Sequence, residues 1–130
     1  MRLVLLILIA TLAAAQEDHS KHQHAVAGLG TVTFPTSCNT SAQKLISRGA
    51  ALLHSFGYEE ARLAFNDAAG ADPTCAMAHW GVARTWYHPI WAPPSPEELK
   101  QGAAAIERAL ASSAKTERER DYVSALAVFY

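Results

Sequence analysis

The sequence predicts an all-α domain built from repeated helix pairs, and three observations carry that prediction. Helix-start signals recur along the chain: Thr40-Ser41-Ala42-Gln43, Asp72-Pro73, Ser95-Pro96-Glu97-Glu98 and Thr116-Glu117-Arg118-Glu119 each set a capping oxygen ahead of a glutamate, a glutamine or a proline. No stretch alternates apolar and polar residues long enough to argue for a sheet. The chain also matches itself. A shift of 34 residues carries Ala42 onto Ala76, Ile46 onto Trp80, Gly49 onto Ala83, Leu52 onto Trp86 and His54 onto His88.

Taken in order, Arg2, the apolar run Leu3 to Leu12 and the small residues Ala13-Ala14-Ala15 predict a signal peptide over 1–15. The run is shorter than the roughly 20 apolar residues that span a bilayer, so the mature chain is expected in the periplasm or outside the cell, with no membrane attachment. Residues 16–37 predict a flexible, histidine-containing linker that ends in "FPTSC", where Pro35 discourages helix. The folded domain is placed at 38–130.

Five helices are predicted there, at about 41–56, 58–70, 74–88, 96–112 and 117–130. Phe56-Gly57-Tyr58 separates the first two, and Pro89 is expected to stop the third near His88. The second and fourth helices match at a shift of 41, with Ala61 on Gly102, Phe65 on Ile106 and Ala68 on Ala109. The seven additional residues lie between Trp86 and Gly102, so "WYHPIWAPPSP" reads first as a helix stop and an enlarged turn, with Trp91 packed back onto the helices. The fifth helix carries Tyr122, Leu126, Phe129 and Tyr130 on one face with no later residue to cover it. That face is expected of a fragment of a longer protein, or of a chain that pairs there.

These residues resemble the tetratricopeptide repeat, a helix-turn-helix unit of about 34 residues. A first unit over 42–75 supplies Gly49, Tyr58, Ala61, Phe65, Ala68 and Pro73; a second over 76–116 keeps Trp80, Ala83, Gly102, Ile106 and Ala109 but lacks an Asp-Pro close. The string "LLHSFGYEEARLAF…ADPTCAMAHWGVARTWYHPIW" is also similar to a group of longer exported bacterial repeat proteins. The resemblance implies a helix-turn-helix solenoid of about two and a half repeats, whose first helices line a concave, peptide-holding face. It places Gln43, Ile46, Ala50 and Leu53, then Met77, Trp80, Arg84 and Tyr87, then Arg118 and Asp121 on that face. Trp80, Arg84, Tyr87 and Arg118 are the expected contacts for a protein or peptide, since aromatics interleaved with arginine suit interface hot spots. The chaperone-tail clamp is not implied, because Ile46 and Ala50 stand where that subfamily carries polar and basic residues.

A formal charge of −1 with dispersed Lys and Arg argues against nucleic acid as partner. Export permits Cys38 and Cys75 to pair, and both fall at the N-terminal ends of the two parallel first helices, so a disulfide is expected. A periplasmic copper- or zinc-binding role is the alternative, using the tail histidines His19, His22 and His24 or the repeat-related pair His54 and His88, with Tyr58 or His79 as remote candidates for a further ligand. Histidines at helix C-termini also suit the helix dipole with no metal at all. No nucleophile elbow, phosphate loop, zinc-protease helix or Cys-x-x-Cys occurs, and Glu59-Glu60 and Glu97-Glu98 sit in first turns, where negative charge is structural. Neither catalysis nor a cofactor is expected.

Overall fold

A computed structural model describes residues 28–130 and contains five α-helices. The predicted signal peptide, and His19, His22 and His24, lie outside the described residues. Helix α1 (Thr40–His54) starts one residue before the predicted capping box: the Asn39 side chain accepts from the Ala42 amide at 2.9 Å. Gln43, expected to close that box, turns instead to the N-terminal segment. At the other end Phe56 takes φ 60°, and the Phe56 and Gly57 amides donate back to Leu53 and Leu52. This is a Schellman stop with phenylalanine, not the adjacent glycine, in the left-handed position.

Helix α2 (Tyr58–Ala71) ends at Asp72, which was expected to cap the next helix and does not. Its carboxylate accepts from the Asn39 amide at 2.8 Å and from the Thr74 amide and hydroxyl, tying the two interhelix turns together. Helix α3 (Ala76–Arg84) begins after Cys75, whose Sγ accepts from the Ala78 amide at 3.3 Å. Cys75 is disulfide-bonded to Cys38, with Cα atoms 5.2 Å apart, as the pairing predicted.

Helix α3 stops four residues before the predicted His88. Thr85 and Trp86 donate to Val82 and Ala83, tightening the last turn to i→i−3 bonds. The Pro89 ring would collide with the Thr85 carbonyl in a continuing helix; that carbonyl accepts from His88 Nε2 at 3.0 Å instead. Helices α4 (Pro96–Ala111) and α5 (Glu117–Phe129) open with both capping boxes as predicted, from Ser95 with Glu98 and from Thr116 with Glu119.

Each helix packs on its successor, and α1, α3 and α5 also meet in sequence, so the odd-numbered helices form one layer of an all-α, repeat-like stack. The core turns on Phe65, fully buried between Gly49 of α1 and Gly81 of α3. A Cβ on Gly49 would stand 2.9 Å from the ring, and one on Gly81 closer still. Gly102 makes the equivalent opening for the Tyr130 ring, whose hydroxyl donates to the Ala83 carbonyl at 2.7 Å. Burial raises the Tyr130 phenol to about 12. The α5 face expected to lie bare is turned partly inward: Leu126 and Tyr130 pack on the core, and Phe129 meets Tyr87, while Tyr122 and Phe129 stay 38% and 42% exposed.

Candidate functional site

Residues 29–37, which the sequence assigned to flexible linker, lie instead as an extended strap across the layer of α1, α3 and α5. Val32, Phe34 and Thr36 are half-buried while Thr31, Thr33 and Pro35 face out, the period-two pattern of extended chain. The strap makes no backbone-to-backbone hydrogen bond among the described residues; side chains of α1 and α5 hold its main chain. Gln43 Nε2 donates to the Phe34 carbonyl at 2.9 Å, and Gln43 Oε1 accepts from the Thr36 amide and hydroxyl, both at 2.7 Å. Arg118 Nη1 donates to the Pro35 carbonyl at 2.8 Å. Ser37 donates its amide and hydroxyl to Glu119 at 2.6 and 2.7 Å.

Four successive residues are therefore gripped by three side chains. The ring of Phe34 fills an aromatic corner: it stacks on Trp80 of α3 at 5.7 Å and meets the edge of Tyr122 at 5.6 Å. The Arg118 guanidinium lies 4.9 Å from the Phe34 centroid and 5.1 Å from that of Tyr122. Trp80 and Tyr122 also contact each other at 5.3 Å, so the corner is braced from within.

Glu119 is 2% exposed, yet its pKa is lowered and not raised. Burial pushes its pKa up, but the amide and hydroxyl of Ser37 and those of Thr116 outweigh burial and hold it below the ordinary glutamate value. Its Oε2 also accepts from the Lys115 and Thr116 amides at 3.1 and 3.0 Å. One carboxylate thereby closes the α5 cap and anchors the strap.

Of the predicted contact residues, Trp80 and Arg118 come together at the strap, whereas Arg84 and Tyr87 do not join them. Because α3 ends at Arg84, Tyr87 falls beyond the helix; Arg84 Nη1 donates to the Tyr87 carbonyl at 3.1 Å, and the Tyr87 ring lies 4.6 Å from Phe129. These two residues brace the enlarged turn against α5. Ile46, Ala50 and Met77, also expected on that face, are buried with the strap in place. Phe34, Ser37, Glu119 and Tyr122 were not expected at the site. Alternation over "TVTFPT" was the available signal, but the run is short, and Glu119 was accounted for by its cap alone.

The three described histidines, His54, His79 and His88, are dispersed. His54 is exposed at the last position of α1, while His88 lies against the Tyr58 ring at 4.1 Å and 3.8 Å from a Glu98 oxygen. His79 is half-buried, with its pKa lowered by burial and then by Arg108. Among the described residues, no three His, Cys, Asp or Glu side chains form a group able to hold a metal ion. Trp91, expected to pack inward, reaches the Phe56 ring at 5.9 Å but stays 66% exposed. No family model, curated protein or solved structure matches the chain.

Proposed function

We propose that the chain is an exported, tetratricopeptide-like scaffold without catalytic activity that binds an extended peptide segment of a protein partner across α1, α3 and α5. One observation carries this reading: Gln43, Arg118 and Glu119 bond the main chain of a single extended segment, and Trp80 of a third helix stacks on its Phe34 ring. Side chains that bond main-chain groups recognise extended conformation with little regard to sequence, and one aromatic corner adds selectivity. The leader-like residues 1–15 and the closed Cys38–Cys75 bridge both support export. The copper or zinc alternative has weaker support, since it rests on His19, His22 and His24 and on His54 and His88, with no third ligand grouped beside the latter pair among the described residues.

The test is selection from a displayed library of random heptapeptides, run on the full chain and on a Phe34→Ala chain, with Trp80→Ala and Arg118→Ala chains as controls. Aromatic-containing peptides should be enriched and should lose binding by about 30-fold on Trp80→Ala, the loss of a hot spot worth about 2 kcal/mol. Failure of both chains to enrich any peptide that depends on Trp80 rejects the reading.

A further inference from the structure

We infer that residues Val32–Ser37 are a displaceable strap by which the chain occupies its own groove, and that the ligand admitted in its place is an extended peptide carrying an aromatic residue, then proline, then two neutral hydroxyl residues. This inference rests on the groove reading above and adds to it the state of the groove and the chemistry of its ligand.

The contacts distinguish a strap from a permanent wall of the fold. Phe65 of α2 is wedged between Gly49 of α1 and Gly81 of α3, a contact made by helices alone, and among the described residues no backbone bond ties the strap to a helix. Lifting Val32–Ser37 opens the aromatic corner and releases Gln43, Arg118 and one side of Glu119, while the Phe65 wedge between Gly49 and Gly81 remains in place.

The strap is also tethered. Cys38 follows Ser37 immediately and is bonded to Cys75 at the start of α3, so the released segment stays close to its seat. A short tether gives an effective concentration of about millimolar, against which any peptide in trans must compete. An unlinked ligand therefore meets a closed groove, and weakening the strap should raise apparent affinity without altering the ligand's contacts.

The same contacts define the ligand. A ring is required in the corner formed by Trp80, Tyr122 and Arg118. The next residue gives only its carbonyl, to Arg118, and its side chain faces solvent, so proline is accepted. The two following hydroxyls donate to Gln43 Oε1 and Glu119 Oε2. Because Glu119 is a buried acceptor, an acidic or phosphorylated residue at the Ser37 position meets like charge and is excluded.

The experiment is a calorimetric titration of the full disulfide-bonded chain, and of its Phe34→Ala and Ser37→Ala variants, with the capped peptide Thr-Val-Thr-Phe-Pro-Thr-Ser. Control peptides carry alanine for the phenylalanine or phosphoserine at the last position. Amide hydrogen exchange at Ser37 is followed in the unaltered chain. The inference expects weak binding to the unaltered chain, with Ser37 protection falling as peptide is added. Phe34→Ala should bind about tenfold or more tightly, Ser37→Ala should lie between, and the control peptides should not bind.

An unaltered chain that excludes peptide at all concentrations and keeps Ser37 protected makes the strap a permanent wall and overturns the inference. Equal affinity for all three chains overturns it too, but leaves the groove reading standing. Exchange of straps between two copies, seen as dimers in size-exclusion chromatography, overturns the closed single-chain form. Failure of every chain to bind the probe, together with an empty library selection, removes both proposals.

Discussion

Replacing Glu119 by glutamine removes a charge and alters few atoms, yet it should release the strap. Glu119 Oε2 accepts three donors, from Ser37 Oγ and the Lys115 and Thr116 amides, and Oε1 accepts the Ser37 amide at 2.6 Å. A glutamine can direct its single carbonyl oxygen to the three-donor side and keep the α5 cap. Its NH2 group then faces the Ser37 amide, donor against donor. One bond to an ionised acceptor is lost and three are weakened, in a site only 2% exposed, so the cost is about 2–3 kcal/mol. Urea unfolding at neutral pH measures that cost, and amide exchange locates it at Ser37.

The pH dependence gives the same prediction a second test. The folded-state pKa of Glu119 lies below its ordinary value, so its stabilising contribution is complete above the ordinary glutamate pKa and is lost as pH falls through the lower, folded one. Asp72 and Glu98 are lowered as well, chiefly by the backbone amides of Asn39 and Ser95, but they are common to both chains and cancel in the difference. The gap between the unaltered chain and Glu119→Gln should therefore narrow on acidification. A gap below about 0.5 kcal/mol at neutral pH, or one constant with pH, refutes the role assigned to this carboxylate.

Gly81→Ala should destabilise the fold by about 1–2 kcal/mol, because overpacking against Phe65 exceeds the roughly 1 kcal/mol gain in helix propensity; Gly49→Ala, with its looser 2.9 Å approach, should be close to neutral by urea titration. Equal effects at the two glycines would contradict the unequal wedge. Replacing both Cys38 and Cys75 by serine should cost about 3–4 kcal/mol in the same assay, given the separation of 37 residues and the loop-entropy model, and should speed exchange at the Ser37 amide. An unchanged exchange rate there would mean that the bridge does not tether the strap. Phe56→Gly should be more stable than Phe56→Ala by about 1 kcal/mol, since both remove the ring and only glycine relieves the left-handed backbone; the reverse order would contradict that conformation.

The helices were legible because local chemistry sets them. Ser95 with Glu98 and Thr116 with Glu119 form boxes that need no distant partner, and the disulfide follows from where two helix starts meet. The errors occurred where a long-range partner redirects a local signal. Asp72 resembles the cap of the next helix in sequence, but the Asn39 amide, 33 residues earlier, claims its carboxylate. Gln43 resembles a box closer until the strap supplies Phe34 and Thr36. The repeat mapping put Trp80 and Arg118 on one side of the layer, where both meet the strap. It misplaced Tyr87 because Pro89 ends the helix before that register is reached. The strap itself was missed for a general reason: a short extended run with no backbone ladder leaves no periodic signature beyond a few alternating residues.

The most direct test of the occupied groove is nuclear Overhauser spectroscopy on the full, disulfide-bonded chain, with the aromatic rings selectively labelled. Ring centroids 5.7 Å apart for Phe34 and Trp80, and 5.6 Å for Phe34 and Tyr122, require cross-peaks from the Phe34 ring to both partners and ring-current shifts on its protons. Those cross-peaks, fading as the heptapeptide is added, are the predicted result. Phe34 protons at solvent-like shifts with no contact to Trp80 or Tyr122 would contradict the account, since the groove would then be open and the strap would not occupy it.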